Sequence, residues 1–276
     1  MVRLIFSVAV ILLCSKSVCG QQMDFMSDEN FVFKVKQIDE FIDRFNNAKA
    51  TPIREYVQEN YAVDSISHAS LLVSLFNQED TAWNEEEVRN FVADVTRSQS
   101  TSQPSSTLDF YDGGWYAELD CTGVYRGKEE TFTLVLSLEV LRHGQGSKWV
   151  INGVSANFLE LSYDTDRRRT LNPASHDTDF INLITALQDT VNFRNYLSTR
   201  AQPSQLLLFF DELCEGSLAF KHINTITYHF MQIDNWIFKV QDFNRDTSNS
   251  GWLISELLRV TDTQKLQYQE KMLYLN

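Results

Sequence analysis

The sequence predicts an α+β fold with two similar domains, each a helical layer packed on a curved antiparallel sheet. Helix-like segments at 31–97 precede strand-like segments at 115–161, and helix-like segments at 177–216 precede strand-like segments at 218–260. Each half ends in a comparable hairpin, whose second strand begins with Lys148-Trp149-Val150-Ile151 or with Gly251-Trp252-Leu253-Ile254. The second tryptophan follows the first by 103 residues, as expected for one unit used twice.

Helical periodicity is clearest in the first of these segments. Apolar residues recur three or four positions apart at Phe31, Val35, Ile38, Ile42 and Phe45, which is the spacing of one helix face. Similar stripes, with capping residues and prolines near their starts, predict further helices at 51–61, 67–77, 84–97, 177–191, 203–213 and 264–275.

From residue 115 the apolar period changes from 3.6 to 2, which is the pattern of a strand with one buried face. Trp115, Ala117, Leu119 and Cys121 alternate with more polar side chains, and a second alternating run covers 132–140. The polar turn at 143–147 closes a hairpin onto Trp149. In the second half, strand-like runs are predicted at 218–232, 235–243 and 251–260.

The first twenty residues predict a signal peptide and not part of the fold. Arg3 supplies a basic start, residues 4–13 form an apolar run, and Val18-Cys19-Gly20 offers small residues for a signal peptidase. We place the cut after Gly20 and expect a secreted or periplasmic protein. The apolar run has about half of the ~20 residues that span a bilayer, so no membrane span is predicted.

The mature chain of residues 21–276 is long enough for two domains, since domains usually hold roughly 100–200 residues. We assign 21–161 to an N-terminal α+β domain, 162–176 to a linker, and 177–276 to a C-terminal α+β domain. A hydrophobic content of 43%, with 19 Phe, 10 Tyr and 5 Trp, provides enough apolar surface for packed cores.

Charge excludes one class of partner. Removal of Arg3 and Lys16 with the signal peptide leaves 22 basic against 37 acidic residues, a formal charge of −15. Such an acidic surface repels phosphate backbones, and the basic run 167–169 is flanked by Asp164 and Asp166 in the predicted linker. Nucleic acid is therefore not an expected partner.

Cysteine and sequon usage indicate the compartment. Only Cys121 and Cys214 remain after processing, so the fold depends on its core and not on a disulfide framework. Free thiols are the favoured state, and a bridge stays open as an alternative if the two Cα atoms lie within about 7 Å. The sequence has no Asn-x-Ser/Thr sequon, which suits a bacterial secreted protein better than a eukaryotic one.

No reaction or cofactor is specified by a motif. The sequence lacks a Gly-x-Ser-x-Gly elbow, a His-Glu-x-x-His zinc helix, a phosphate-binding glycine loop and a Cys-x-x-Cys pair. Residues 242–246 resemble the opening of a calcium loop, but Thr247 replaces its glycine and Leu253 its glutamate. A hairpin turn explains this segment better, and we predict neither a metal nor a cofactor.

Strand faces provide the one argument for a pocket. With strict alternation, His222 and Asn224 lie in line with Tyr228 on one face of the first strand of the C-terminal domain. Asp242 ends the next apolar row, and Glu256 interrupts the apolar row of the last strand. Buried polar groups need partners or a ligand, so we predict any pocket in this domain, with His222, Asn224, Tyr228, Asp242 and Glu256 as its candidate residues.

In the first half, the corresponding row places Ser155 and Asn157 in line with Trp149 and Ile151. Ser155 is a smaller hydrogen-bonding group than His222 or Asn224. The run 132–140 also has no polar side chain on its apolar face. The first sheet is therefore interpreted as filled core.

The order of helices followed by long strands resembles the cone-shaped α+β fold of the nuclear-transport-factor-like and ketosteroid-isomerase-like superfamily, sometimes grouped with cystatin-like folds. The stretches 33–46 and 171–176 are also similar in character to uncharacterised secreted bacterial proteins. The resemblance covers nearly all of 28–262 as two copies. It implies a helical layer on each curved sheet, and its members include enzymes, binders and dimerisation modules, so the fold alone does not define the activity.

The isomerase's catalytic Asp and Tyr find no matching motif in this chain, which weakens an enzymatic interpretation. We therefore predict a secreted or periplasmic non-enzymatic module that binds a small molecule, a glycan or a protein partner. The alternative is an isomerase- or hydrolase-like enzyme with a pocket in the C-terminal domain, which would require convergent titratable groups in an apolar cavity.

Overall fold

A computed structural model describes residues 34–61, 66–100, 106–141, 146–159, 204–246 and 249–274. The described helices are α1 (Ile38–Phe45), α2 (Pro52–Tyr61), α3 (His68–Ser74), α4 (Glu85–Ser100), α5 (Gln205–Cys214) and α6 (Asp262–Met272). The described strands are β1 (Trp115–Tyr125), β2 (Lys128–Val140), β3 (Ser147–Ser155), β4 (Leu218–Phe230), β5 (Trp236–Phe243) and β6 (Gly251–Arg259). The α+β class is confirmed, and so are both hairpins, β2–β3 and β5–β6.

Two compact units share the chain, and neither is continuous in sequence. The first unit contains residues up to 110 and residues 232–259, and therefore α1–α4 with the β5–β6 hairpin. The second unit contains residues 111–231 and those from 260 onward, and therefore β1–β4 with α5 and α6.

Aromatic packing forms the core of the first unit. Phe91 of α4 lies edge-on to Trp236 of β5, with ring centroids 5.4 Å apart, and Phe45 of α1 stacks on Phe238 at 5.5 Å. All four side chains are buried. The apolar stripes of α1 and α4 thus bury against one face of the β5–β6 hairpin, which stabilises helices too short to persist alone.

Two short segments cover the outer edge of β6. Val35 bridges to Gly251 and Phe76 bridges to Ile254, both in parallel orientation. The backbone bonds include Trp252 N to Val35 O at 2.9 Å and Ile254 N to Leu75 O at 2.7 Å. Val35 was predicted within a helix. In the structure α1 begins only at Ile38, and Val35 pairs with the edge of β6.

The sheet of the second unit has the strand order β3-β2-β1-β4, with antiparallel pairing throughout. One face is apolar and is partly covered by α5, whose Phe209 lies 5.2 Å from the ring of Phe132. This core also contains Cys121, Leu134, Val154, Ala156, Leu159 and Leu218. The opposite face carries polar side chains that contact α6, including Tyr116 and His229.

The sequential division into domains 21–161 and 177–276 is not confirmed. Strand β4, from the second half of the chain, pairs with β1 from the first half along nearly its whole length. The first helical block shares its unit with the second hairpin. Local periodicity predicts each strand but carries no information about its partner, because pairing depends on contacts between residues distant in sequence. The predicted linker 162–176 and the helix at 177–191 lie outside the described residues.

Candidate functional site

Four large apolar side chains are exposed near the turn of the β2–β3 hairpin and on the segment before β1. Tyr111 is 66% exposed, Val140 54%, Trp149 38% and Leu141 37%. Ser147, which pairs with Val140, donates its hydroxyl to the carbonyl oxygen of Tyr111 at 2.5 Å and thereby holds this segment beside the hairpin. We call Tyr111, Val140, Leu141 and Trp149 the aromatic patch.

Neighbouring rings support Trp149 within this patch. Trp149 packs edge-on against Trp115 at 4.8 Å, and Trp115 stacks on Phe230 at 5.3 Å with nearly parallel planes. Tyr228 lies 5.4 Å from Trp115 and 6.3 Å from Trp149. An exposed tryptophan held by two neighbouring rings has little rotamer freedom to lose on binding, which favours its use as a contact residue.

Tyr228 keeps its predicted place on the apolar face of β4. Its partner on β1 is Ala117, and the side chain is half-buried. Burial raises the pKa of the Tyr228 phenol, so the group remains a neutral hydrogen-bond donor at physiological pH.

His222 and Asn224 do not share that face, which corrects the predicted row. Strand β4 pairs Thr225 with Asp120 and Ile223 with Cys121, so Asn224 is an extra residue that reverses the alternation. A second irregularity follows at Lys221. His222 therefore pairs with Thr122 and is exposed.

Asn224 is also exposed, and its side chain bonds to the neighbouring strand β1. Its amide Nδ2 donates to the Thr122 hydroxyl at 2.9 Å. Ile223 takes the apolar position that strict alternation gave to Asn224. The predicted pocket row thus loses both of its polar members.

Glu256 and Asp242 belong to the first unit and have separate surroundings. Strand β6 carries its own bulge, because Lys239 pairs with Glu256 and Val240 with Ile254. The Glu256 carboxylate consequently lies on the face opposite Ile254 and binds Lys239 Nζ at 2.6 Å. Asp242 is exposed at the end of β5. The predicted row containing Glu256 is wrong for the same reason as the β4 row.

Ser155 on β3 repeats this pattern a third time. Ile151 pairs with Leu136 and Gly153 with Val135, so Asn152 is extra and Val154 takes the core position. Ser155 pairs with Thr133 on the polar side of the sheet. At each of the three bulges, an apolar residue occupies the inward position that alternation predicted for a polar one.

The polar face of the second unit contains a cluster that alternation did not single out. His229 is fully buried, and its Nδ1 lies 2.8 Å from the hydroxyl of Tyr268 on α6. Its Nε2 lies 3.1 Å from Glu118 Oε2, off the direction of a straight hydrogen bond. His229 pairs with Tyr116 of β1, and Glu118 lies two residues further along the same face of that strand. The two side chains are therefore neighbours.

The segment 242–246, which was interpreted as a hairpin turn, is tied to the first unit by side-chain bonds. Arg245 donates to Asn77 Oδ1 at 2.6 Å and pairs with Glu79 at 3.1 Å, while Asn244 accepts from Lys34 at 2.8 Å. Within the described ranges, no group of three or more His, Cys, Asp and Glu side chains is arranged to hold a metal ion. Thr247 lies outside the described residues.

A shallow depression in the first unit has an acidic rim, and none of the five predicted pocket residues lines it. Its volume is about 380 Å³, and it is lined by Lys36, Gln37, Asp39, Glu40, Asp43, Thr51 and Pro52. Glu40 is already engaged, since it binds the buried guanidinium of Arg44 at 2.5 Å.

Both cysteines in the described residues are free thiols, as favoured from the sequence. Cys121 is buried and Cys214 is exposed. Burial in the apolar core, with a smaller contribution from Asp120, raises the pKa of Cys121 to about 11.

We expect iodoacetamide at pH 8 to modify Cys214 at least about a hundredfold faster than Cys121, because the thiolate is the reactive form. Peptide mapping by mass spectrometry measures both rates in one sample. In urea the two rates should converge, and comparable rates in the native protein would contradict the buried position of Cys121.

Comparison with known proteins identifies no family for this chain, because no family model, no curated protein and no solved structure matches it. The resemblance to the nuclear-transport-factor-like superfamily therefore stays a prediction. None of the helices in the described part of the chain is long and apolar enough to cross a membrane.

The aromatic patch was missed because Val140 and Trp149 were assigned to apolar rows of the sheet, while Tyr111 and Leu141 were not singled out. Trp149 was recognised as a marker of the hairpin, and Val140 as the last member of an apolar row. One available signal was the continuation of apolar residues through Leu141, directly before the polar turn. A strand that stays apolar where its hairpin reaches solvent indicates a contact surface.

Proposed function

We propose that this chain is a secreted or periplasmic non-enzymatic module that binds a protein partner through the aromatic patch. The observation that carries the proposal is the exposure of four large apolar side chains in this part of the unit, with Trp149 held by neighbouring rings. Soluble proteins rarely expose contiguous large apolar groups without a binding role. Tryptophan and tyrosine are also the residues on which interface energy most often depends.

The shape of the patch favours an extended partner over a small molecule. A small ligand usually has most of its surface enclosed by a cavity. Here each member is more than a third exposed, and the four come from the β2–β3 hairpin and the segment before β1. Such a surface can be covered by another macromolecule but encloses little of a small ligand.

The composition of the patch favours a protein over a glycan. Val140 and Leu141 supply aliphatic surface, which gains free energy against another apolar surface and offers nothing to sugar hydroxyls. The hydroxyl of Ser147, which stands next to the patch, already donates to the backbone of Tyr111. Ring stacking alone would serve either partner, so the aliphatic members decide the choice.

The experiment replaces Leu141 with the photo-crosslinking residue p-benzoylphenylalanine. Irradiation in the extracellular and envelope fractions of the source organism is expected to give a discrete crosslinked protein, and excess unlabelled wild type should suppress it. Leu266 on α6 is 61% exposed and provides the matched control position. Equal crosslinking at both positions, or a product that wild type does not suppress, would refute the proposal. A product of twice the chain mass would identify the partner as a second copy.

A further inference from the structure

Helix α6 is attached to the second unit by polar contacts, which is unusual for a helix that covers a sheet. None of its residues, 262–272, is buried. Tyr268 contacts His229, Gln269 donates to the Tyr116 hydroxyl at 2.9 Å, and Lys265 donates to the Met231 carbonyl at 2.9 Å. Because water competes for each of these groups, their net contribution to holding the helix is small.

The apolar attachment comes after the helix ends. Leu273 is fully buried, and the Tyr274 ring lies directly over Gly153, where even a Cβ would approach its Cδ2 to 2.5 Å. The segment 262–274 is thus held at its far end by two side chains. Its near end is capped internally, because Thr261 and Gln264 form a reciprocal capping box.

Removal of this segment would uncover a polar site that is closed in the folded chain. His229 is fully buried beneath it, beside Glu118 and Tyr116. The sheet itself does not depend on the segment, since β1 to β4 pair with one another along their lengths.

We propose that residues 262–274 form a strap that detaches from the second unit while its sheet stays folded, and that release of the strap uncovers His229. The strap opens at a lower free energy than the whole unit because few apolar contacts hold it. This device is independent of the aromatic patch, whose members lie on β2, β3 and the segment before β1.

Modification by diethyl pyrocarbonate at constant pH reports the opening, since the reagent reaches a histidine only when it is accessible. His222 provides an internal reference, because it stands exposed on the same strand and the same face as His229. We expect slow modification of His229 in the wild type, with a rate that changes little at low urea concentrations. Local opening exposes little surface, whereas global unfolding has a steep urea dependence.

Two variants loosen the strap from opposite sides. Leu273→Ala removes its buried anchor, and Gly153→Ala displaces the Tyr274 ring from the sheet side. Each should raise the His229 rate at least about tenfold and leave the His222 rate unchanged. Gly113→Ala is the matched control, because nothing lies within 4 Å of the added Cβ.

The proposal fails if the His229 rate follows the same steep urea dependence as the unfolding of the sheet, measured by hydrogen exchange of β1 and β4 amides in the same samples. It also fails if both strap variants leave the His229 rate at the wild-type value. Tyr268→Phe retains the ring and removes one polar contact, so it supplies a third variant should Leu273→Ala unfold the chain.

Discussion

Replacement of Gly251 by alanine is expected to destabilise the first unit by about 2–5 kcal/mol. Gly251 has φ +87°, a left-handed backbone region that costs alanine about 1–2 kcal/mol. The added Cβ would also overlap the carbonyl oxygen of Val35 and lie 2.6 Å from its carbonyl carbon. Relief of that overlap must displace the segment that covers β6, at a cost of about 1–3 kcal/mol.

Gly127→Ala separates the two contributions. Gly127 has nearly the same φ of +84°, but nothing lies within 4 Å of its added Cβ. Urea-induced unfolding followed by tryptophan fluorescence should give a loss of only about 1–2 kcal/mol for this variant. Equal losses for Gly251→Ala and Gly127→Ala would show that the close approach of Val35 to β6 is incorrect.

Phe91→Ala is expected to cost about 3–5 kcal/mol, the second large effect. The Phe91 ring is fully buried between α4 and the β5–β6 hairpin, with Trp236 at 5.4 Å and Phe238 at 5.6 Å. Phe45 and Phe76 complete its surroundings at 6.1 and 5.9 Å. Truncation leaves a cavity that rigid neighbouring rings cannot fill, so both the lost burial and the cavity contribute.

Thermal unfolding of Phe91→Ala beside Phe210→Ala measures this effect. Phe210 on α5 is 41% exposed, so its truncation removes the same atoms from a site already in contact with water. We expect a loss of less than about 1 kcal/mol for Phe210→Ala. Similar shifts for the two variants would mean that the first helical block does not pack on the second hairpin.

Local structure could be predicted from the sequence because it depends on neighbouring residues. Amphipathic spacing and end signals placed α2, α4 and α5 within a few residues of their observed bounds, and alternation placed all six strands. The pairing of β1 with β4 could not be predicted in this way. Similar order in the two halves suggested a tandem repeat, whereas the strand partners exchange between the halves.

Side-chain direction failed at particular residues for one physical reason. A bulge adds a single residue to a strand and reverses every following position, and Asn152, Asn224 and Ser255 each act in this way. A sequence pattern with period two cannot register such an insertion. The predicted pocket rows are therefore wrong at His222, Asn224 and Glu256. Tyr228, which lies between the β4 bulges and the end of the strand, kept its predicted face.

The most direct test of the aromatic patch as the binding surface is competition in the Leu141 crosslinking assay. Unlabelled Trp149→Ala and Tyr111→Ala are added as competitors, with Phe210→Ala as an equally exposed apolar control elsewhere on the same unit. We predict that Trp149→Ala competes at least about tenfold less well than wild type and Tyr111→Ala less well too, whereas Phe210→Ala competes like wild type. Wild-type competition by both patch variants would contradict the account.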